Sequence, residues 1–120
     1  MKVYFIGAGP GDPELITIKG LKVIQRSGYC IYAGSLVNPE LLKSLPAHAK
    51  VYDSSRMSLE DMVVVYKEAM KHNMDVARIH SGDPSIYGAI QEQMHALDEL
   101  GIIYETIPGV SSFVAAAAVL

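Results

Sequence analysis

Short runs of β-branched and aromatic residues alternate along this chain with stretches whose apolar positions recur at helical spacing. Val3 to Ile6 is the first such run, closed by Gly7-Ala8-Gly9-Pro10-Gly11-Asp12-Pro13, and a helical stretch follows from Thr17 to about Arg26. Tyr29 to Tyr32 predicts a second strand, with a loop at Ala33-Gly34-Ser35. Asn38-Pro39 then supplies an N-cap and a first-turn proline ahead of Glu40 to Ser44. A third strand is expected at Lys50 to Tyr52. Ser58-Leu59-Glu60-Asp61 resembles a capping box with Asp in place of the usual Glu or Gln, and it opens a helix running to about His72 with Leu59, Met62, Val63, Tyr66 and Met70 on one face. Val76 to Ile79 predicts a fourth strand, followed by His80-Ser81-Gly82-Asp83-Pro84. Gly88 to Leu100 reads as a helix stopped by Gly101, Ile102 to Ile107 as a fifth strand, and Pro108-Gly109-Val110 as a turn before a last helix capped by Ser111.

Five strands alternating with helical segments predict right-handed β-α-β units, and so an α/β domain with a five-stranded, mostly parallel sheet carrying helices on both faces. In such a sheet every loop after a strand opens on the same edge, where ligands of open α/β sheets bind. All the unusual loop chemistry therefore converges: Gly7 to Pro13, Gly34-Ser35, Ser54-Ser55-Arg56, Gly82-Asp83-Pro84 and Pro108 to Ser112.

Composition narrows the picture. With 120 residues, half of them hydrophobic, 19% charged and a mean hydropathy of +0.22, the chain has the material for one packed domain and is not a disordered segment. A formal charge of -3 without any basic block argues against a nucleic-acid partner. Neither Val3 to Ile6 nor Phe113 to Leu120 is long enough for a leader or a membrane span, so a cytoplasmic protein without a membrane partner is expected. Phe113 to Leu120 lacks any terminating residue, and the chain is expected to be one part of a longer protein. The single cysteine, Cys30, sits among Tyr29, Ile31 and Tyr32 and reads as an inert core thiol.

The first loop begins a G-x-G-x-x-G pattern, but Asp12 stands where the third glycine is needed, and its charge would repel a pyrophosphate at a helix start. No G-K-[ST] follows, which excludes a nucleoside triphosphate loop. A cofactor without phosphate suits the loop better, and Gly7-Ala8-Gly9-Pro10-Gly11 has the G-x-G-x-G form of many S-adenosylmethionine-binding loops.

Taken together, Gly7 to Thr17, His80-Ser81-Gly82-Asp83-Pro84-Ser85-Ile86-Tyr87-Gly88 and Ile107-Pro108-Gly109-Val110-Ser111-Ser112 resemble the three signatures of the tetrapyrrole (corrin/porphyrin) methylase family in order and spacing. Tyr32 to Asn38, Met57 to Met62 and Tyr87 to Met94 are similar to its precorrin-4 C-11 branch. The resemblance implies transfer of a methyl group from S-adenosylmethionine to ring carbon 11 of precorrin-4 or cobalt-precorrin-4 in cobalamin biosynthesis. It further implies a homodimer, and a second α/β domain beyond this N-terminal one that encloses the cofactor cleft, so that the part seen here would not turn over alone. Carried residue by residue, it implies cofactor contacts from Pro10, Gly82, Asp83, Ile86, Tyr87, Ser111 and Ser112. Gly82 would admit close backbone approach and Asp83 would accept a hydrogen bond from the cofactor. It identifies no catalytic acid or base. Other branches of the family, among them other precorrin or uroporphyrinogen methylases and diphthine synthase, remain alternatives, as does a non-catalytic α/β ligand-binding module.

Several residues have plainer readings. His80 is expected to be a histidine satisfied by its neighbours; His48, His72 and His95 are surface residues without metal-ligand spacing, and no metal site is predicted. Met57, Met62, Met70, Met74 and Met94 are expected to fill the core; a place along a substrate trough is the second reading of Met57 and Arg56, and a lone surface arginine is the default for Arg56. Gly7, Gly9 and Gly11 are expected to shape their loop rather than contact a ligand.

Overall fold

The computed structural model describes residues 1–81 and 90–110, with Ser35 described by its backbone alone. Five parallel strands, β1 (Val3–Gly7), β2 (Tyr29–Tyr32), β3 (Lys50–Asp53), β4 (Val76–His80) and β5 (Tyr104–Ile107), form one sheet in the order β3-β2-β4-β1-β5. The central register pairs Val3 with Val76 and Gly7 with His80, so β1 and β4 end level at the carboxyl edge. The helices are α1 (Ile18–Arg26), α2 (Leu59–Lys71) and α3 (Gln91–Leu100).

The chain steps from β1 across β4 to β2 and on to β3, then returns across β2 to β4 and across β1 to β5. Right-handed crossovers running in opposite directions put their connections on opposite faces. Side-chain alternation along the strands serves both layers. Tyr4, Ile6, Cys30, Ala77 and Ile79 meet Val23 and Ile24 of α1 and Leu41, whereas Val3, Phe5, Tyr29, Ile31 and Val76 meet Val65, Tyr66 and Ala69 of α2 and Leu97 of α3. Each fully buried aliphatic or aromatic side chain contributes about 1.5–3 kcal/mol. Helices of nine to thirteen residues are marginal in water, so this burial is what holds them.

Local signals set the boundaries. The Thr17 hydroxyl accepts the Gly20 amide at 3.0 Å and starts α1. Ser58 and Asp61 form the reciprocal capping box of α2 despite the shorter acid, with bonds of 3.0 and 3.1 Å. Asn38 caps Pro39–Ser44 as expected, although these six residues form a 3-10 helix, the form that short helical runs favour. Gly101 ends α3. The start of that helix at Gly88 and the last helix capped by Ser111 lie outside the described residues.

Three expectations need correction. The buried stripe of α2 is Met62, Val65, Tyr66 and Ala69, spaced three and four apart, and Met70 lies one step past it at 42% exposure. Met74, after the helix, is also exposed, so of the five methionines expected in the core Met57, Met62 and Met94 pack against it. The fifth strand begins at Tyr104 rather than Ile102; Ile102 and Ile103 lead into it, the latter through a 3.0 Å bond from the Val3 amide.

Candidate functional site

The direction of the connections fixes where a ligand fits. From β4 the chain leaves toward the α2/α3 face, while from its two neighbours, β1 and β2, it leaves toward the α1 face, and a crevice opens between diverging loops. The loops at that edge are tied to the sheet and to one another. The Ala8 amide donates to the His80 carbonyl at 2.8 Å and the Ala33 amide to the Ile79 carbonyl at 3.2 Å, carrying the flanking strands one step past their ends toward β4. The Asn38 side-chain amide donates to the Gly11 carbonyl at 2.8 Å, joining the loop after β1 to the loop after β2. The Ser54 hydroxyl donates to the Tyr32 carbonyl at 3.0 Å, joining the loop after β3 to the end of β2.

Two glycines make these close approaches possible. Gly9 has φ +81°, and a Cβ there would lie 3.1 Å from the Leu15 Cβ. Gly34 has φ +58°, and a Cβ there would lie 3.2 Å from the Ser55 Cβ and 3.3 Å from an Asp53 carboxylate oxygen. Both are backbone devices that shape the rim. Beside Gly34 a recess of about 320 Å³ is lined by Tyr32, Val37, Pro39, Leu42 and Asp53. A second recess of about 340 Å³ lies between the end of β3 and α2, with Met57, Val64 and Val65 on its apolar wall. Two others, at the amino edge around Gly28, His48 and Met74, lie away from the convergent loops.

In the loop after β1 the helix starts are occupied by the chain itself. Asp12 caps the turn Pro13–Leu15 by accepting the Glu14 amide at 2.9 Å, and Thr17 caps α1. A phosphate-binding helix start needs free amides and no adjacent carboxylate. The loop after β1 therefore suits a ligand group without phosphate.

His80 stands at the carboxyl end of β4 beside the crevice, its ring centroid 6.0 Å from that of Phe5. Its Nε2 is buried and has no hydrogen-bond partner among the described residues, so at this atom the expectation of a satisfied histidine is not met there. Burial first, and then the neighbouring Arg78 charge, push its pKa down to about 3, so the imidazole is neutral at pH 7. Burial likewise pushes the Cys30 thiol up to about 12, as suits an inert core residue.

Pro10 lies half-buried in the loop after β1, at the carboxyl edge of the sheet. Gly82, Asp83, Ile86, Tyr87, Ser111 and Ser112 lie outside the described residues. Met57 lines the second recess, whereas Arg56 is exposed. His48, His72 and His95 are exposed, and among the described residues no cluster of three His, Cys, Asp or Glu side chains could hold a metal ion. Nor is any helix among them long and apolar enough to cross a membrane.

Sequence reasoning missed a buried polar group next to the crevice. Arg78, in the middle of β4, is 5% exposed, and its Nε donates to the Gln93 side-chain oxygen at 3.1 Å. The Tyr66 hydroxyl donates to the same oxygen at 2.8 Å. The signal was present: a charged residue inside a central parallel strand has to be buried on one face or the other.

A parallel sheet with helices on both faces, and a crevice built from the loops at its carboxyl edge, define an α/β ligand-binding class. The chain belongs to the tetrapyrrole (corrin/porphyrin) methylases, whose family profile matches residues 2–120. It is 51% identical over its whole length to a precorrin-4 C(11)-methyltransferase of Rhodococcus erythropolis, and 54% identical over 99% of its length to a cobalt-precorrin-4 C(11)-methyltransferase of Methanocaldococcus jannaschii. The aligned part is 48% and 46% of those proteins, so the chain spans about half the length of the relatives it matches. Among solved structures, a cobalt precorrin-4 methyltransferase of cobalamin biosynthesis superposes with a TM-score of 0.94 at 47% identity, covering 98% of this chain and 49% of the other. A uroporphyrin-III C-methyltransferase from Thermus thermophilus, complexed with S-adenosyl homocysteine, superposes with a TM-score of 0.80 at 33% identity, covering 98% and 48%.

Proposed function

We propose that this chain supplies the cofactor-binding half of an S-adenosylmethionine-dependent methyltransferase that methylates carbon 11 of precorrin-4 or its cobalt complex in cobalamin biosynthesis. The carrying observation is the gradient of similarity: 0.94 and 47% to the precorrin-4 enzyme against 0.80 and 33% to the uroporphyrin enzyme, over the same 98% of the chain. The cofactor of the more distant structure, present there as its demethylated product, supports the choice of ligand.

Bound in the crevice, S-adenosylmethionine supplies an electrophilic methyl group on a sulfonium centre. The chain's part is to bind and orient. Pro10, Gly82, Asp83, Ile86 and Tyr87 line the cofactor side, with Gly82 letting the backbone approach and Asp83 accepting a hydrogen bond. Ser111 and Ser112 contribute amide and hydroxyl donors. The ties from Asn38 to Gly11 and from Ser54 to Tyr32 hold the rim, so that an incoming ring carbon meets the methyl group in line. A crevice that excludes water favours a step in which cationic charge is dispersed. No side chain is assigned as a base.

This reading carries with it a second domain, a cytoplasmic location and a homodimer, each supported by the family resemblance. Calorimetry of the full-length gene product with S-adenosylhomocysteine tests it. Binding is expected, and Asp83→Ala should weaken it by about tenfold or more through loss of a charge-assisted hydrogen bond. Absence of binding by the unaltered protein overturns the reading; unchanged affinity in Asp83→Ala removes that residue from the site.

A further inference from the structure

We propose that Arg78 is a positioning residue for the cofactor crevice, its buried guanidinium locking α3 to the carboxyl ends of β2 and β4. The proposal rests on the reading of the crevice as an S-adenosylmethionine site.

The argument begins with cost. A guanidinium taken out of water costs several kcal/mol unless it is well paired, and an apolar side chain of similar length often serves stability as well or better. Among the described residues no carboxylate forms an ion pair with Arg78, whose partners are neutral oxygens. Stability is therefore a poor account of a cation at this position.

What the guanidinium offers is reach. Its Nε bonds to Gln93 on α3 at 3.1 Å, while Nη1 lies 3.5 Å from the Ile31 carbonyl on β2 and 3.4 Å from the Ile79 carbonyl on β4. Gln93 is held from the other side by Tyr66 of α2 at 2.8 Å, so its carbonyl oxygen receives two donors and cannot turn away without leaving both unpaired. Ile31 and Ile79 immediately precede Tyr32-Ala33-Gly34 and His80-Ser81, which form two walls of the crevice. Arg78 and Gln93 stand 15 residues apart and bracket Gly82 to Tyr87, the segment that the proposed function assigns to the cofactor. One planar fork thus ties both stems of that segment to the neighbouring wall. A single ammonium could not span these acceptors.

The test compares S-adenosylhomocysteine affinity by calorimetry with thermal stability in the full-length gene product. Arg78→Met should keep a thermal midpoint within about 5 °C of the unaltered protein, or above it, while its affinity falls by about tenfold or more, as a misplaced wall predicts. Arg78→Lys should not restore the affinity. Gln93→Glu keeps an acceptor oxygen for both the Arg78 and the Tyr66 donors and should hold affinity within about threefold. Wild-type affinity in Arg78→Met, whatever its midpoint, overturns the proposal and leaves the function reading intact, whereas no binding by the unaltered protein removes both. Should Arg78→Met fail to fold, Tyr66→Phe decides: loss of one of the two donors to Gln93 should weaken binding by about threefold, and unchanged affinity overturns the positioning role.

Discussion

Gly34 concentrates the demands made on single residues at the crevice rim. It turns the chain out of β2 at φ +58°, and it lets the loop after β3 approach within contact of its own Cα. A side chain would face both restrictions. Gly34→Ala should destabilise the fold by about 1–2 kcal/mol from the left-handed backbone alone, with the crowding against Ser55 and Asp53 adding to it. Urea unfolding measures this, and a variant as stable as the parent would mean that the rim rearranges freely. Glycine's role here could be suspected from Ala33-Gly34-Ser35, but the positive φ and the partner across the gap could not. Arg78 makes the complementary point. Its letter in β4 was readable, while its partners Gln93 and Tyr66 lie 15 and 12 positions away on two other helices, a relation that the sequence alone does not display.

Among the elements, α2 shows how local chemistry and burial divide the work. Its start is set by Ser58 and Asp61, which satisfy two amides that the helix itself leaves free. Ser58→Ala should cost about 1 kcal/mol and leave the core stripe of Met62, Val65, Tyr66 and Ala69 in place. Chemical denaturation with unchanged near-ultraviolet dichroism checks both halves of that statement; a loss of tertiary signal would show that the cap also sets the helix's orientation. The boundary was legible because a cap is a contact within four residues. The buried face was legible only to within one residue, since Met70 and Ala69 are both compatible with an apolar stripe and the sheet selects between them.

For the whole molecule, the acid limb of stability has two parts. The His80 imidazole is buried neutral with its pKa lowered from 6.5 to about 3, so the unfolded chain takes up its proton first. Its contribution is full above about pH 6.5 and is lost as pH falls toward 3. Glu105 on β5 receives Lys19 and Lys2, which hold its carboxyl down at about 2 against an ordinary 4.5, so its contribution is full above about pH 4.5 and is lost as pH falls toward 2. Thermal midpoints should therefore begin to fall below about pH 6.5, before most carboxylates titrate. His80→Phe should flatten the profile between pH 6 and 5, and Glu105→Gln should change it only at lower pH. Identical acid limbs in His80→Phe and the parent would show that the imidazole is charged or solvated in the folded protein.

The sequence by itself determined the five strands, their parallel arrangement and the edge on which the loops gather, because strand runs, caps and turn residues act within a few positions of one another. It also carried the family, through three loop signatures in fixed order. Only the tertiary structure decided the strand order β3-β2-β4-β1-β5, and with it which loops diverge to open a crevice. Only it joined Asn38 to Gly11, set Gly34 against Ser55 and closed Arg78 on Gln93. Those contacts cross between elements, and their geometry follows from how two layers of side chains pack on one sheet rather than from any local pattern of residues.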